Sequence, residues 1–154
     1  WKHMSWEQIR EMADAGFEFG SHTENHLDLT SLAADVALRE LVSSKAAIEK
    51  NLDAPCLYLS YPFGRTNAAV RSLAQEAGYK AAFNITPRGG DEAMDVGRRG
   101  MYVIDFLFDL KAKLGLLGSL MGKAEALKGR AINLFSAGTT MMMRHPDYNA
   151  KRAA

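Results

Sequence analysis

Short apolar runs alternate with capped amphipathic helices through residues 1–110, and no other feature constrains the fold as tightly. Met4-Ser5-Trp6-Glu7-Gln8-Ile9 predicts a helix start: Ser5 caps, Gln8 reaches back, and Met4 staples onto Ile9. That helix runs to Ala15 and stops at Gly16. Phe17-Glu18-Phe19-Gly20-Ser21 then alternates like a strand. A second helix over residues 33–51 carries a stripe through Ala34, Leu38, Leu41 and Ile48 towards Leu52. Pro55 separates it from a strand over Leu57 to Tyr61. A loop over residues 62–66, a third helix from Asn67 to Ala77 ending at Gly78, and a strand from Lys80 to Ile85 follow. A Pro/Gly/Asp-rich loop over residues 87–97 precedes a fourth strand, Met101 to Ile104. Strands spaced by helices in this way predict an α/β fold with a parallel sheet and helical crossovers.

Charge divides the chain near residue 110. Residues 1–110 hold 11 basic and 16 acidic side chains, whereas residues 111–154 hold 8 basic and 2 acidic. The domains expected are therefore 1–110, the α/β part, and 111–154, a basic amphipathic helical tail. The tail keeps a helical period through Leu116, Leu120, Ala124, Leu127, Ala131 and Phe135. Gly115, Gly118, Gly122 and Gly129 each weaken it by about 1 kcal/mol relative to Ala. Docking on the rest of the chain suits it better than a membrane surface.

Several classes fall away on composition. A lone cysteine, Cys56, excludes an intrachain disulfide scaffold. The most apolar stretch, Leu114 to Met121, is far shorter than the roughly 18 residues of a membrane span. A net charge of +1 gives no bias towards nucleic acid, and 47% hydrophobic residues exclude disorder. No glycine loop follows a strand in the pattern that cradles nucleotide phosphates. Cys56 reads as packing, Lys45 as a snorkelling interruption of its helix stripe, and Asn84-Ile85-Thr86 as a chance glycosylation tripeptide. The compartment is left open.

Two strand ends carry chemistry. In Ser21-His22-Thr23-Glu24-Asn25-His26, two imidazoles four positions apart share one face of a helical turn and can close on one divalent cation. Thr23 stands where a metalloprotease helix has glutamate, so that reaction is excluded. By spacing alone, two unrelated loop histidines are the better description. Tyr61-Pro62-Phe63-Gly64 leaves the next strand at its carboxyl end, the side on which parallel α/β folds build sites.

Together these features resemble the polysaccharide deacetylase (NodB-homology, carbohydrate esterase family 4) superfamily, in its Tyr-Pro-Phe-Gly subgroup. The resemblance spans roughly residues 4–110. It rests on Gly16 to Thr23, the His22/His26 pair, Leu27 to Leu29, Tyr61 to Gly64, and Ala77-Gly78-Tyr79 before a strand. It implies an incomplete (β/α) barrel and metal-dependent hydrolysis of N- or O-acetyl groups on an oligo- or polysaccharide. His22 and His26 would ligate the metal, Zn2+ first, with Co2+, Ni2+ or Mn2+ also suited to imidazole. The backbone N–H of Phe63 falls where the family places an oxyanion donor, and Tyr61, Pro62, Phe63 and Arg98 would contact the sugar. Asp95 and Arg99 are further candidates to line the pocket.

The sequence also departs from the family. It has no Thr-Phe-Asp-Asp-Gly strand end, the usual source of the catalytic base and third ligand; the acidic pair Asp91-Glu92 does not match it. Ser60 stands where many members have arginine. Met142-Met143-Arg144-His145 only loosely matches the late histidine motif, which makes His145 a candidate general acid. Four strands are half of the about eight a closed barrel needs. The expectation is a carboxyl-terminal part of a deacetylase, inactive as it stands. The alternatives are a non-catalytic carbohydrate-binding or scaffold remnant of the same fold, and an unrelated α/β domain.

Overall fold

The computed structural model describes residues 3–85 and 92–98, with residues 107, 110 and 111. Contacts divide the chain into two units, Trp1–Gly97 and Arg98–Ala154. In the second unit, Leu107, Leu110 and Lys111 are helical. The strand expected at Met101 to Ile104, the glycine-interrupted tail helix and His145 lie outside the described residues.

The first unit begins with α1, Trp6–Asp14, and the capping box forms: Ser5 Oγ accepts from Gln8 N, and Gln8 Oε1 accepts from Ser5 N. Gly16 ends it at φ 92°. Helix α2, Ala34–Leu52, buries Ala37, Glu40, Leu41 and Ser44 along one face. Helix α3, Ala68–Glu76, is capped by Asn67, whose side chain accepts from Val70 N at 2.9 Å.

Three parallel strands follow in the order β1-β2-β3: β1 Tyr58–Ser60, β2 Ala81–Asn84 and β3 Val96–Gly97. Leu59 pairs with Ala82, and Phe83 with Val96. Leu41, Cys56, Leu59, Tyr61, Ala74 and Ala82 are fully buried between this sheet and the helices α2 and α3. Cys56 is packing, as its position suggested.

Three expectations are corrected. Residues 87–97 are not all loop: Ala93–Asp95 is a 3-10 turn and Val96–Gly97 pairs with β2. The expected strand over Phe17 to Ser21 reduces to one parallel bridge, Ser21 with Leu59. Its earlier residues, Phe17 to Gly20, are in no strand. Lys45 does not snorkel. Its ammonium donates inward to Glu49 Oε1 at 2.8 Å and to the Cys56 carbonyl at 2.6 Å, and lies 5.3 Å from the Tyr79 ring centre.

This clip fastens the end of α2 to the entry of β1, since Glu49 also accepts from Cys56 N at 3.0 Å. Hydrogen bonds from Lys45 and Cys56 hold the Glu49 carboxyl below the usual carboxylate range. A depressed folded-state pKa stabilises the fold above the ordinary value, and that stability is lost as pH falls through the folded value. Thermal melts are expected to show midpoints falling below about pH 4, with a shallower fall in Glu49→Gln. Equal slopes in the two proteins would contradict the clip.

Candidate active site at the carboxyl edge of the sheet

Ser21 delivers His22 to the rim. Its N–H donates to Tyr58 O and its carbonyl accepts from Ser60 N, both at 2.8 Å, so the loop leaves the sheet beside β1. Gly20 suits the close approach there, since a Cβ would stand 3.0 Å from Tyr58 O.

The histidines do not sit on a helical turn, which corrects the spacing argument. Thr23 and His26 both adopt left-handed backbone, at φ 67° and 56°. A side-chain scaffold holds this costly path. Ser21 Oγ accepts from Thr23 N at 3.2 Å, and Thr23 Oγ1 accepts from His26 N at 3.1 Å. Glu40, buried on α2, accepts from Asn25 N at 2.8 Å and Asn25 Nδ2 at 2.7 Å.

The loop nonetheless brings the imidazoles together, with ring centres 4.7 Å apart at 71°. His22 Nδ1 lies 2.6 Å from Ser60 O. A carbonyl only accepts, so Nδ1 carries a proton, and in the neutral ring the lone pair belongs to Nε2. A structural role of this kind for Ser60 was not visible in the sequence.

The second loop meets the first at His26, whose ring packs edge-on against Phe63 at 4.7 Å and 74°. Phe63 occupies a 3-10 turn, Pro62–Gly64, with left-handed φ 57°. Among the described residues, no hydrogen bond uses the Phe63 N–H. Tyr61 and Pro62, two of the residues expected to contact a sugar, are both buried. The Tyr61 hydroxyl donates to Met94 O at 2.9 Å, and burial pushes its pKa up to about 12. Phe63 alone of the three is partly exposed. Arg98 is exposed and belongs to the second unit.

Sequence reasoning missed Glu40, Asp28 and Arg65. Asp28 is buried and pairs with Arg65 at 2.8 Å. Burial raises its pKa, but hydrogen bonds from Thr30 and Arg65 outweigh that and hold it below the usual range. The available signal was Asp-Leu-Thr, an Asx-turn pattern at a loop. Beyond Gly64 opens a polar cleft of about 490 Å3, lined by residues including Thr30, Arg65, Arg71, Asn84 and Asp95. Asn84, buried and bonded to Asp95, is no exposed glycosylation acceptor. Among the described residues, no three His, Cys, Asp or Glu side chains converge as a metal site.

The polysaccharide deacetylase family profile matches residues 1–82, which include both loops. The chain belongs to the polysaccharide deacetylase family. A relative carrying the family's name, YxkH of Bacillus subtilis (strain 168), is 31% identical over 120 residues, covering 78% of this chain and 40% of YxkH. Among solved structures, the chain is similar to the Streptococcus pyogenes deacetylase PplD, solved in complex with acetate. The TM-score is 0.52 at 32% identity, over 53% of this chain and 36% of that one. A Bacillus cereus polysaccharide deacetylase gives 0.56 at 29% identity, over 62% and 31%. The chain thus spans well under half the length of these relatives. No helix among the described residues is long and apolar enough to cross a membrane.

Proposed function

We propose that this deacetylase-family chain supplies the metal-binding and oxyanion side of a site that hydrolyses acetyl groups from a glycan. The meeting of the two loops supports this most: His22 against His26, and His26 against Phe63, both with ring centres 4.7 Å apart. A divalent cation fits the donor set, because the Ser60 carbonyl fixes His22 in the tautomer that leaves Nε2 basic. When held by His22 and His26, such a cation supplies Lewis-acid polarisation of the acetyl carbonyl and acidifies water. The chain's own residues do the rest. The Phe63 N–H donates to the oxygen on which negative charge develops. The exposed part of the Phe63 ring offers an apolar surface to the sugar, and the polar cleft beyond Gly64 offers donors and acceptors to its hydroxyls.

The proposed whole is a (β/α) barrel in which an Asp-Asp motif supplies the base and the third ligand. The 154 residues contain no such motif, so acetate release from an N-acetylated oligosaccharide is expected to be undetectable with this chain. Joining it to a segment bearing a Thr-Phe-Asp-Asp-Gly strand is expected to give release that His22→Ala abolishes. Sugar binding with no release from that joined protein would favour the non-catalytic binding module instead.

A further inference from the structure

We propose that the Asp28–Arg65 ion pair is a positioning clasp that keeps the histidine loop and the Pro62–Gly64 turn in register. It rests on the reading that His22, His26 and Phe63 form one site. The placement is symmetrical: Asp28 lies two residues after His26, and Arg65 two residues after Phe63. The residues so bracketed both hold left-handed backbone, at φ 56° and 57°. Such conformations persist for non-glycine residues only where the surroundings over-determine them.

The two oxygens of Asp28 divide the work. Oδ1 accepts from Thr30 N at 3.1 Å and Thr30 Oγ1 at 2.6 Å, which fixes the carboxylate within its own loop. Oδ2 accepts from Arg65 Nη1 at 2.8 Å, which reaches across to the other loop. Asp28's side chain is 5% exposed and Arg65's 38%. The carboxylate is therefore held in place, and the guanidinium comes to it from the solvent side. A surface ion pair contributes little, but a charge-assisted bond to a buried, pre-fixed carboxylate has a defined direction. That direction is what register requires. Beside the His26–Phe63 ring contact, this pair is a polar link from one loop to the other.

The test reads the ring contact itself. The His26 imidazole protons feel the ring current of Phe63, so their NMR shifts in the metal-free chain report whether the loops remain in register. Phe63→Ala sets the scale for complete loss. In Arg65→Met these shifts are expected to move most of the way to the Phe63→Ala values, and in Arg65→Lys to stay near wild type. Cobalt affinity, measured by titration, is expected to fall roughly tenfold in Arg65→Met and to recover in Arg65→Lys. Should Arg65→Met not fold, the Asp28→Asn/Arg65→Met pair removes the charge together with its partner and serves the same comparison. Wild-type His26 shifts in Arg65→Met, with the fold retained, would overturn the clasp. So would equal displacement in Arg65→Lys and Arg65→Met. If the wild-type chain binds no cobalt, the metal reading fails, while the metal-free shifts still decide the clasp.

Discussion

Gly64→Ala is expected to cost roughly 3 kcal/mol or more of stability, a value confined to a few mechanisms such as backbone strain and overpacking. Both act here. Gly64 stands at φ +62°, where an added Cβ is strained whatever the space. That Cβ would lie 2.1 Å from Ile85 Cγ1 and 2.7 Å from Ile85 N. The side chain could turn away, but the backbone nitrogen at the end of β2 cannot move without the strand. The turn is pinned from its other side too, because Tyr61 N donates to Phe83 O at 3.0 Å and Gly64 N to Tyr61 O at 2.9 Å. Gly16→Ala is the control. Its φ is +92° but nothing lies within 4 Å, so the left-handed penalty of about 1–2 kcal/mol acts alone. Urea unfolding of the two variants should therefore separate them clearly; equal losses would mean that the turn is not wedged against β2.

The larger effect on chemistry is expected at the histidines. His22→Ala removes one imidazole and releases the Ser60 carbonyl that oriented it; His26→Ala removes the other together with its packing on Phe63. In the proposed site these two imidazoles are the protein donors, and no group of three His, Cys, Asp or Glu converges among the described residues, so either loss would leave a single ligand. Metal affinity should fall at least about tenfold in each variant, the lower end of what even an outer partner of a metal ligand costs. The fold should survive both changes. His22 is exposed and His26 only partly buried, and the scaffold bonds from Ser21, Thr23 and Glu40 do not use either ring.

What the sequence could show here is what local chemistry fixes. The Ser5/Gln8 capping box and the left-handed Gly16 and Gly78 follow from residues within a few positions of one another, whereas of the stripe expected on α2 only Leu41 is on the buried face, with Ala37, Glu40 and Ser44. The alternation of helix and strand puts both loops on one side of the sheet, the first after the Ser21 bridge and the second after β1, and the family motifs fall on them. Other features depend on contacts distant in the chain. Val96–Gly97 is too short to carry a period and is a strand only because β2 lies beside it. The spacing of His22 and His26 reads as a helix, yet Thr23, a β-branched residue, goes left-handed because Ser21 and His26 bond to it. Tyr61 looked like a sugar platform from its motif. Its ring lies in the core, with its hydroxyl donating to Met94 O more than 30 positions away, a placement that the motif does not reveal. Glu40 and Asp28 are charged residues in buried places, and only the tertiary structure reveals the loop groups that they hold.

Zinc titration of the purified 154-residue chain, beside His22→Ala and His26→Ala, tests the central claim most directly. The account predicts about one ion per wild-type chain, with binding lost in both variants while their melts remain cooperative. No binding by the wild-type chain, or binding unchanged in either variant, would contradict the assignment of these two histidines to a metal.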